Sequence, residues 1–325
     1  MKTSNLYPLK FEPQLKEKVW GGTQLSEQFE KKAEGKIGES WEISGVQDSV
    51  SLVSNGVLAG KSLTELIHRF GSDLLGKDVA RQFGNEFPLL FKFIDAKEDL
   101  SVQLHPDDTV AGERHNSFGK TEMWYVLHAE ENARLILGFN QEMDKETYVN
   151  YLSKGKITQI LNEVHVSRGD AFFIAPGTVH AIGAGVMLAE IQQTSDITYR
   201  IYDWDRPGMD GKMRELHTDL ALDVIDFSRT DSQLKFTQKE DEETLICESP
   251  YFVTQFLKLS RDMKRDVSRI DSFLVYMCVD GEAQLNDVLL KNGETILIPA
   301  CTERVDIHTQ GATLLEVYIP GNDIK

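Results

Sequence analysis

The sequence predicts a mainly β protein, built from two antiparallel barrels in tandem with a few short helices. Short apolar runs separated by turn residues dominate the chain, and strands at such close spacing favour a barrel or a sandwich. A weak internal repeat indicates two units of one kind, because LLKNGETILIPA (289–300) resembles VSRGDAFFIAPG (166–177). Each copy has a turn of glycine and an acidic residue, an apolar strand and a proline.

The first unit contains most of the predicted strands. They cover residues 87–95, 99–105, 122–129, 133–139, 170–177, 186–193 and 197–204. Helical patterns are fewer. The clearest begins with a capping box of Ser62 and Glu65 and continues as an apolar stripe to Leu74. We expect one broken or two short helices over 144–164 and a short helix over 217–227.

A polar and charged segment, residues 228–246, separates the first unit from the second. Strands then resume at 251–260, 272–281, 295–300 and 312–320. We therefore divide the chain into a catalytic domain, residues 1–235, which includes the short helices, and a C-terminal barrel, residues 236–325. The second barrel reads PACTERV where the first reads PGTVH, so we expect it to be structural and to hold no metal.

The overall charge restricts the partners of the chain. The 52 acidic and 35 basic side chains give a net charge of −17, which repels nucleic acid and anionic membranes. No apolar run is long enough to cross a membrane, and residues 1–22 lack the apolar run of a signal peptide. Three cysteines without CxxC spacing argue against a disulfide framework, so we expect a cytoplasmic protein. The oligomeric state stays open.

The stretch SVQLHPDD (101–108) places three polar side chains on one face of a strand. Side chains two apart share a face, so Ser101, Gln103 and His105 project together. Glu122 follows in GKTEMWYVL, and His180 follows in GDAFFIAPGTVH. Two imidazoles, a carboxylate and an amide oxygen suit zinc or a similar divalent ion. A set of at most four ligands leaves room for water or substrate, which predicts a catalytic site.

Each of these residues taken alone has an ordinary explanation. A strand histidine is commonly a hydrogen-bonding group, and a single glutamate is commonly a surface carboxylate. The combination favours a metal site, because a histidine, a glutamate 17 residues later and then Gly-Asp-strand-Pro-Gly-x-x-His is the layout of a cupin-type (jelly-roll) barrel.

Longer motifs extend this similarity over nearly the whole chain. They are VWGG (19–22), GESWEISG (38–45), PLLFKFIDAKEDLSVQLHPDD (88–108), GKTEMWYVL (119–127), IAPGTVHAIGAG (174–185) and EIQQTSDITYRIYDWDR (190–206). On these motifs the chain resembles type I mannose-6-phosphate isomerases of the short bacterial form. It lacks the large helical insertion of the long eukaryotic members.

The resemblance implies a reaction and a metal site. The reaction interconverts mannose 6-phosphate and fructose 6-phosphate: the open-chain sugar loses its C2 proton, passes through an enediolate and takes a proton at C1. One zinc ion per chain would be held at the positions of Gln103, His105, Glu122 and His180. Many cupins read His-x-His where this chain has Gln103-Leu104-His105. The reaction is redox-neutral, and zinc, which has no redox chemistry, suits it. No GxGxxG motif opens a helix here, so the sequence gives no sign of a nicotinamide site.

Three further residues are candidates for contact with the substrate. The resemblance gives Arg200 an active-site role, and its strand position directs it to the face of Thr198 and Tyr202, where it can counter the enediolate or the phosphate. The alternative is an ion pair with one of the many carboxylates. Lys120 is a candidate catalytic residue and a candidate ligand of phosphate or of a sugar hydroxyl. Ser101 is a candidate donor to phosphate.

The proton-transfer base is not identifiable from the sequence. Lys120, Glu190, a zinc-bound water and a free histidine are all suitable. Trp20, Trp41 and Trp124 are expected to pack in the core or the wall of the site. Two rival functions are another cupin enzyme, such as an iron-dependent dioxygenase, and a sugar-binding cupin without catalysis.

Overall fold

The computed structural model describes residues 6–32, 35–228 and 231–321. The N-terminal stretch examined for a signal peptide lies partly outside these ranges, at residues 1–5. The strands are β1 (Leu9–Lys10), β2 (Gln14–Gly22), β3 (Ile37–Ile43), β4 (Leu89–Ala96), β5 (Val102–Leu104), β6 (Glu122–Ala129), β7 (Arg134–Phe139), β8 (Leu161–His165), β9 (Ala171–Ile174), β10 (His180–Ile182), β11 (Val186–Gln193), β12 (Tyr199–Tyr202), β13 (Gln233–Leu234), β14 (Glu243–Glu248), β15 (Val253–Leu259), β16 (Met263–Asp266), β17 (Leu274–Leu285), β18 (Val288–Lys291), β19 (Thr295–Ile298) and β20 (Arg304–Tyr318).

The helices are short. They are α1 (Gln24–Phe29), α2 (Leu63–Phe70), α3 (Ser72–Leu75), α4 (Lys77–Phe83), α5 (Asp108–His115), α6 (Lys145–Ser153) and α7 (Thr218–Leu222), with 3₁₀ turns at Gly56–Leu58 and Ile157–Ile160. The capping box is present, since Ser62 accepts from the backbone N–H of Glu65 and the Glu65 side chain accepts from that of Ser62. In the described residues no helix is both long and apolar enough to span a membrane.

Two antiparallel sheets form the first unit. One has the order β13-β9-β6-β11-β4-β2-β3, and the other has the order β12-β5-β10-β7-β8. Apolar side chains from both sheets share a core that includes Ile94 and Trp124 of the first sheet and Leu135 and Ile182 of the second. The two sheets therefore pack face to face, and the polar residues of the sequence motifs lie between them.

The second unit is one sheet of eight strands. Its order is β1-β19-β17-β20-β15-β14, with β16 paired to β20 and β18 paired to β17. β17 and β20 are 12 and 15 residues long, and register shifts interrupt their pairing. Such shifts bend a sheet, and this one surrounds a second apolar core that contains Tyr276 and Leu314.

These sheets confirm the prediction of a mainly β fold. In the parts of the chain that are described, each sheet is an open path and none closes into a barrel. The boundary at residue 235 stays a prediction. β13 still pairs with the first unit, whereas β1, at Leu9–Lys10, pairs with β19 of the second unit. A single large apolar cluster joins residues of both units, such as Met123 and Phe256.

Three local predictions need correction. The expected helix over 144–164 ends at Ser153, and residues 161–165 form strand β8, because Leu161 and Val164 pair with β7 and the burial of β8 alternates. Helix α5, which begins three residues after His105 and is capped by Asp107, was not among the predicted helices. Strands β2 and β3, which flank the site, were not among the predicted strands.

Candidate metal centre and substrate cavity

The two predicted histidine ligands are buried and oriented alike. His105 follows β5, His180 begins β10, and each side chain is 1% exposed. His105 Nδ1 lies 2.8 Å from the carbonyl oxygen of Ile197, and His180 Nδ1 lies 2.8 Å from that of Thr178. A neutral imidazole that donates from Nδ1 keeps its lone pair on Nε2. Neither Nε2 atom has a hydrogen-bond partner among the described residues.

Glu122 completes a three-residue cluster. Its Oε1 lies 3.3 Å from His105 Nε2, and its Oε2 lies 3.9 Å from His180 Nε2. One ligand atom from each residue falls within 4.8 Å of the others. Neither carboxylate oxygen makes a hydrogen bond of acceptable geometry in the described structure, although Lys120 Nζ lies 3.0 Å from Oε1. Buried polar atoms without partners are rare, and a divalent cation fits these three donors.

The electrostatics keep the cluster in the form that a metal requires. Burial and the charge of Lys120 lower the pKa of His105 to about 3, and burial lowers the pKa of His180. Burial alone would raise the pKa of Glu122, but Lys120 and His105 hold it well below its usual range. At neutral pH the cluster therefore offers two neutral imidazoles and one carboxylate.

Gln103, the fourth predicted ligand, lies on β5, between β10, which carries His180, and β12, which carries Arg200. β5 pairs with β10 and with β12, so Gln103 is opposite both His180 and Arg200. Its Oε1 accepts a hydrogen bond of 3.1 Å from Ser101 Oγ. Gln103, Ser101 and His180 line the same cavity.

This cavity has a volume of about 390 Å³ and lies between the two sheets of the first unit. Six of its lining residues are cationic: Lys16, Lys18, Lys92, Lys120, Arg200 and Arg214. Three are carboxylates: Glu39, Glu190 and Asp196. In a chain with a net charge of −17, this cavity has the opposite sign to the average surface. It is suited to an anionic ligand.

Tryptophan side chains form part of the cavity wall. Trp20, Trp41 and Trp124 are 3%, 8% and 1% exposed, which confirms the prediction that they pack in the core or the wall. Trp41 also lies between two ammonium groups, with Lys16 Nζ 4.8 Å and Lys92 Nζ 5.3 Å from its ring centroid. These contacts hold the two lysines at the wall.

Glu190 is fixed by two partners. Lys92 Nζ lies 2.8 Å from its Oε1, and Trp124 Nε1 donates to its Oε2 at 2.9 Å. Burial and the charge of Glu122 raise the pKa of Glu190. Burial would lower the pKa of Lys92, but the attraction of Glu190 and Glu39 outweighs it and raises that pKa. Both oxygens of Glu190 are thus engaged.

Arg200 extends along the cavity without a carboxylate partner. Its Nε donates to Ser101 Oγ at 3.3 Å, and its Nη1 donates to the carbonyl oxygen of Glu215 at 3.0 Å. Among the described residues no carboxylate lies within ion-pair distance of it, so the alternative of a surface ion pair is wrong. Burial and nearby Arg214 lower its pKa. His217 holds its backbone, accepting from its N–H through Nδ1 at 3.2 Å and donating to its carbonyl at 2.7 Å.

Sequence reasoning missed six charged cavity residues: Lys16, Lys18, Glu39, Lys92, Asp196 and Arg214. A signal for some of them was present. Lys16, Lys18 and Trp20 alternate along β2, and alternate residues share a face. Arg214 had no such sequence signal, because it lies in the irregular segment between β12 and α7, where side chains follow no period.

Similar sequences and structures are found among known proteins. A family model, the catalytic domain of type I phosphomannose isomerase, matches residues 8–131. Mannose-6-phosphate isomerase ManA of Bacillus subtilis is 35% identical over 304 residues, which cover 90% of this chain and 93% of that protein. The mannose-6-phosphate isomerase of Streptococcus mutans is 34% identical over 301 residues, which cover 90% and 92% of the two chains.

Solved structures extend the likeness to the fold. The mannose 6-phosphate isomerase from Bacillus subtilis superimposes with a TM-score of 0.87 and 31% identity, covering 96% of this chain and 99% of that chain. A mutant of phosphomannose isomerase from Salmonella typhimurium has a TM-score of 0.76 over 97% of this chain and 100% of that chain. At 18% identity, the second structure is similar in fold alone.

The fold and the buried cluster define a cupin-type protein with residues that can bind a divalent metal. The chain belongs to the type I mannose-6-phosphate isomerase family, as its sequence motifs predicted. Members of this class are aldose–ketose isomerases.

Proposed function

We propose that this chain interconverts D-mannose 6-phosphate and D-fructose 6-phosphate with one zinc ion held by Gln103, His105, Glu122 and His180. The observation that carries the metal assignment is the convergence of three buried donor atoms, each without a hydrogen-bond partner in the described residues. The phosphosugar assignment rests on family membership and on the cationic cavity beside these donors.

The donor set favours zinc or a similar first-row ion over magnesium and calcium. Two imidazole nitrogens with carboxylate and amide oxygens suit zinc, whereas magnesium and calcium prefer oxygen ligands alone. A bound divalent ion supplies Lewis-acid stabilisation of the negative charge that develops on the sugar oxygens when a carbon-bound proton leaves. Isomerisation is redox-neutral, so no nicotinamide is required.

Lys120 is positioned to assist at the reacting end of the sugar. The Lys120 side chain is 6% exposed and lines the cavity. Its Nζ lies 3.0 Å from Glu122 Oε1. Once Glu122 serves as a metal ligand, the protons of Lys120 can turn to a substrate oxygen. We assign Lys120 a role in holding or moving a proton there.

The pairing of charges indicates where the phosphate binds. Four of the six cavity cations have a carboxylate partner: Lys18 with Glu39, Lys92 with Glu190, Lys120 with Glu122 and Arg214 with Asp203. Lys16 and Arg200 have none among the described residues, and Lys16 Nζ donates its hydrogen bonds to the neutral side chains of Gln14 and Ser49. Of the three carboxylates that line the cavity, Asp196 is the one without an ion pair to a described residue. We assign Arg200, with Ser101, and Lys16 to the anionic groups of the substrate.

The remaining assignments follow from composition. The net charge of −17 disfavours nucleic acid as a partner. Cys247 and Cys278 are buried thiols without a disulfide, as expected for a protein that works in a reducing cytoplasm.

A coupled assay tests the proposal. Purified protein should convert mannose 6-phosphate to fructose 6-phosphate, and a chelator should stop the conversion until zinc is returned. Mannose without phosphate is the matched control and should react far more slowly, because the two unpaired cations then have no anion to bind. Full turnover in a preparation verified to be metal-free would refute the metal assignment.

A further inference from the structure

We propose that Tyr251, in the second unit, is a positioning residue for the metal site of the first unit and acts through Asp108 and Gln193. The inference rests on the proposed function, because it concerns the placement of Lys120 and Glu122. It gives the second unit a specific part in the site. None of these three residues, Tyr251, Asp108 and Gln193, lines the cavity.

Among the contacts between the two units, Tyr251 supplies one hydrogen bond whose donor is firmly held. Tyr251 Oη donates to Asp108 Oδ2 at 2.9 Å. A tight turn presents the tyrosine, because Ser249 Oγ accepts from the backbone N–H of Tyr251 at 3.2 Å and from that of Phe252 at 3.1 Å. Phe252 is fully buried in the apolar cluster that joins the two units. The hydroxyl therefore has little freedom to move away from Asp108.

Asp108 passes this constraint to two other parts of the first unit. Its Oδ1 accepts from the backbone N–H of Gly119 at 2.8 Å and from Nε2 of Gln193 at 3.0 Å. Asp108 is the first residue of α5, only three positions after His105. One carboxylate thus connects the start of α5, the end of β11 and the segment that leads into β6.

Gln193 completes the connection to the metal-binding segment. It is 5% exposed, its Oε1 accepts from the backbone N–H of Thr121 at 2.9 Å, and its own N–H donates to the Thr121 carbonyl at 3.2 Å. Thr121 lies between Lys120 and Glu122. The N–H of Lys120 donates to the carbonyl of Pro106 at 3.1 Å. Each of residues 119–121 therefore donates a backbone hydrogen bond, and two of these bonds go to Asp108 and Gln193.

The packing at Gly119 shows how closely the segment is held. A Cβ atom at this position would lie 2.5 Å from the carbonyl carbon of Asp107 and 2.5 Å from the nitrogen of Asp108. These are backbone atoms, so a side chain at residue 119 would have to displace the start of α5. The segment and the helix start are thus in direct contact and move together.

The consequence for the site is geometric. Lys120 and Glu122 both flank Thr121, and Glu122 must stay near two imidazole nitrogens to share an ion with them. Metal and catalytic sites tolerate shifts of about 0.5 Å, and a misplacement of about 1 Å is costly. Loss of the Tyr251 hydroxyl should loosen residues 119–121 and weaken both metal binding and turnover. If the bond only holds the two units together, its loss should lower thermal stability and leave the metal site unchanged.

Three variants and a matched control separate these roles. Tyr251→Phe removes only the hydroxyl, and Asp108→Ala removes all three acceptor contacts. Asp108→Asn is a conservative variant, since its amide oxygen can still accept from Gly119 and Gln193. Tyr7→Phe is the control, because the Tyr7 hydroxyl also makes two hydrogen bonds, to the backbone of Asn55 and Leu58, but not at the cavity.

The measurements are zinc affinity of the metal-depleted protein, hydrogen exchange of the peptide that covers residues 119–122, and steady-state kinetics. We expect Tyr251→Phe to raise the zinc dissociation constant and lower kcat by about fivefold, as for one lost hydrogen bond. Asp108→Ala should change both the zinc dissociation constant and kcat by more than tenfold, on the order of two lost hydrogen bonds. Asp108→Asn should restore most of this loss. The N–H of Thr121 should exchange faster, and KM should change little.

Two results would overturn the proposal. One is unchanged zinc affinity and unchanged exchange at 119–122 in both Tyr251→Phe and Asp108→Ala. The other is an equal effect of Tyr7→Phe, which would mark a general loss of stability. If the wild-type protein fails to isomerise mannose 6-phosphate, the proposed function fails, and the exchange and metal-affinity measurements still decide the role of Tyr251.

Discussion

His105 Nε2 and Glu122 Oε1 lie 3.3 Å apart in a buried site, and neither atom has a hydrogen-bond partner in the described parts of the chain. A polar atom left without a partner in a folded interior is expensive, at about 1–3 kcal/mol. A divalent ion between these atoms and His180 would satisfy all of them. The arrangement therefore has a clear use with metal bound and a cost without it.

Removal of metal should abolish turnover and lower the melting temperature. The protein as purified should contain one zinc per chain, bound in the first unit. The second unit should hold none, because its interior is an apolar core. A ligand that binds only the folded state stabilises it by about 2.7 kcal/mol at a hundredfold excess over Kd. Metal analysis, calorimetry and the coupled assay before and after chelation check this. Two tightly bound ions per chain would contradict the assignment of the second unit as metal-free.

Single replacements of the four ligands should differ in severity. His105→Ala and His180→Ala each remove an imidazole and should lose the metal. Gln103→Ala should weaken metal binding less, because an amide oxygen is the weakest donor of the set and its Oε1 already accepts from Ser101. Metal content after dialysis against a weak chelator measures the order. Wild-type zinc content in His180→Ala would remove this residue from the set.

The sequence was sufficient for the residues that lie in long motifs. Gln103, His105, Glu122 and His180 come from three separate stretches of the chain, and the pairing of β5 with β10 brings Gln103 opposite His180. Their chemistry is visible in the residue types, and their order matches a known layout. The fold class was also predictable, because strand-length apolar runs depend on local sequence.

Residues outside the motifs could not be predicted in the same way. Lys16 and Glu39 reach the cavity because β2 and β3 extend the sheet beyond β4; the alternation along β2 shows which side chains share a face, but it does not show the long-range pairing that brings this face to the cavity. The contact of Tyr251 with Asp108 depends on how the two units dock. Strand β8 was mistaken for helix because its short sequence, LNEVH, has too few residues to show a period.

The ion pairs of Glu39 should make the protein sensitive to acid. Burial raises its pKa, but Lys92 and Lys18 outweigh burial and lower it from 4.5 to about 2. This stabilisation is fully present above the unfolded pKa near 4.5 and is lost as the pH falls toward 2. At most about 3 kcal/mol is involved. Urea unfolding of wild type and Glu39→Gln should differ by this order at pH 7 and converge near pH 2; a constant difference would contradict the assignment.

Lys16 should matter for binding of the phosphosugar. It lacks a carboxylate partner in the described structure, whereas Lys18, on the same face of β2, pairs with Glu39 at 3.2 Å. Lys16→Met should raise KM for mannose 6-phosphate by about tenfold, as for one charge-assisted bond, with kcat nearly unchanged. Lys61→Met is the control, because Lys61 makes an exposed ion pair with Glu65. Equal kinetics for the Lys16 and Lys61 variants would exclude Lys16 from substrate binding.

Arg200 should act on charge and leave the metal in place. Guanidinium has no lone pair to give a metal, and this side chain donates to Ser101 and to the carbonyl of Glu215. Arg200→Ala should therefore retain zinc. If Arg200 stabilises the transition state, turnover should fall by about a hundredfold or more, as for one preorganised donor.

The other role of Arg200 gives a different kinetic result. If it only binds phosphate, Arg200→Ala should raise KM while kcat holds, because the interaction is then equal in the ground and transition states. Arg200→Lys keeps the charge and loses the planar fork. If Arg200 binds phosphate, this variant should largely restore KM. If Arg200 stabilises the transition state, it should restore kcat to a smaller extent. His217 holds the backbone of Arg200 at both its N–H and its carbonyl, so the remaining side chains should keep their places in both variants. Unchanged kcat and KM in Arg200→Ala would contradict both roles.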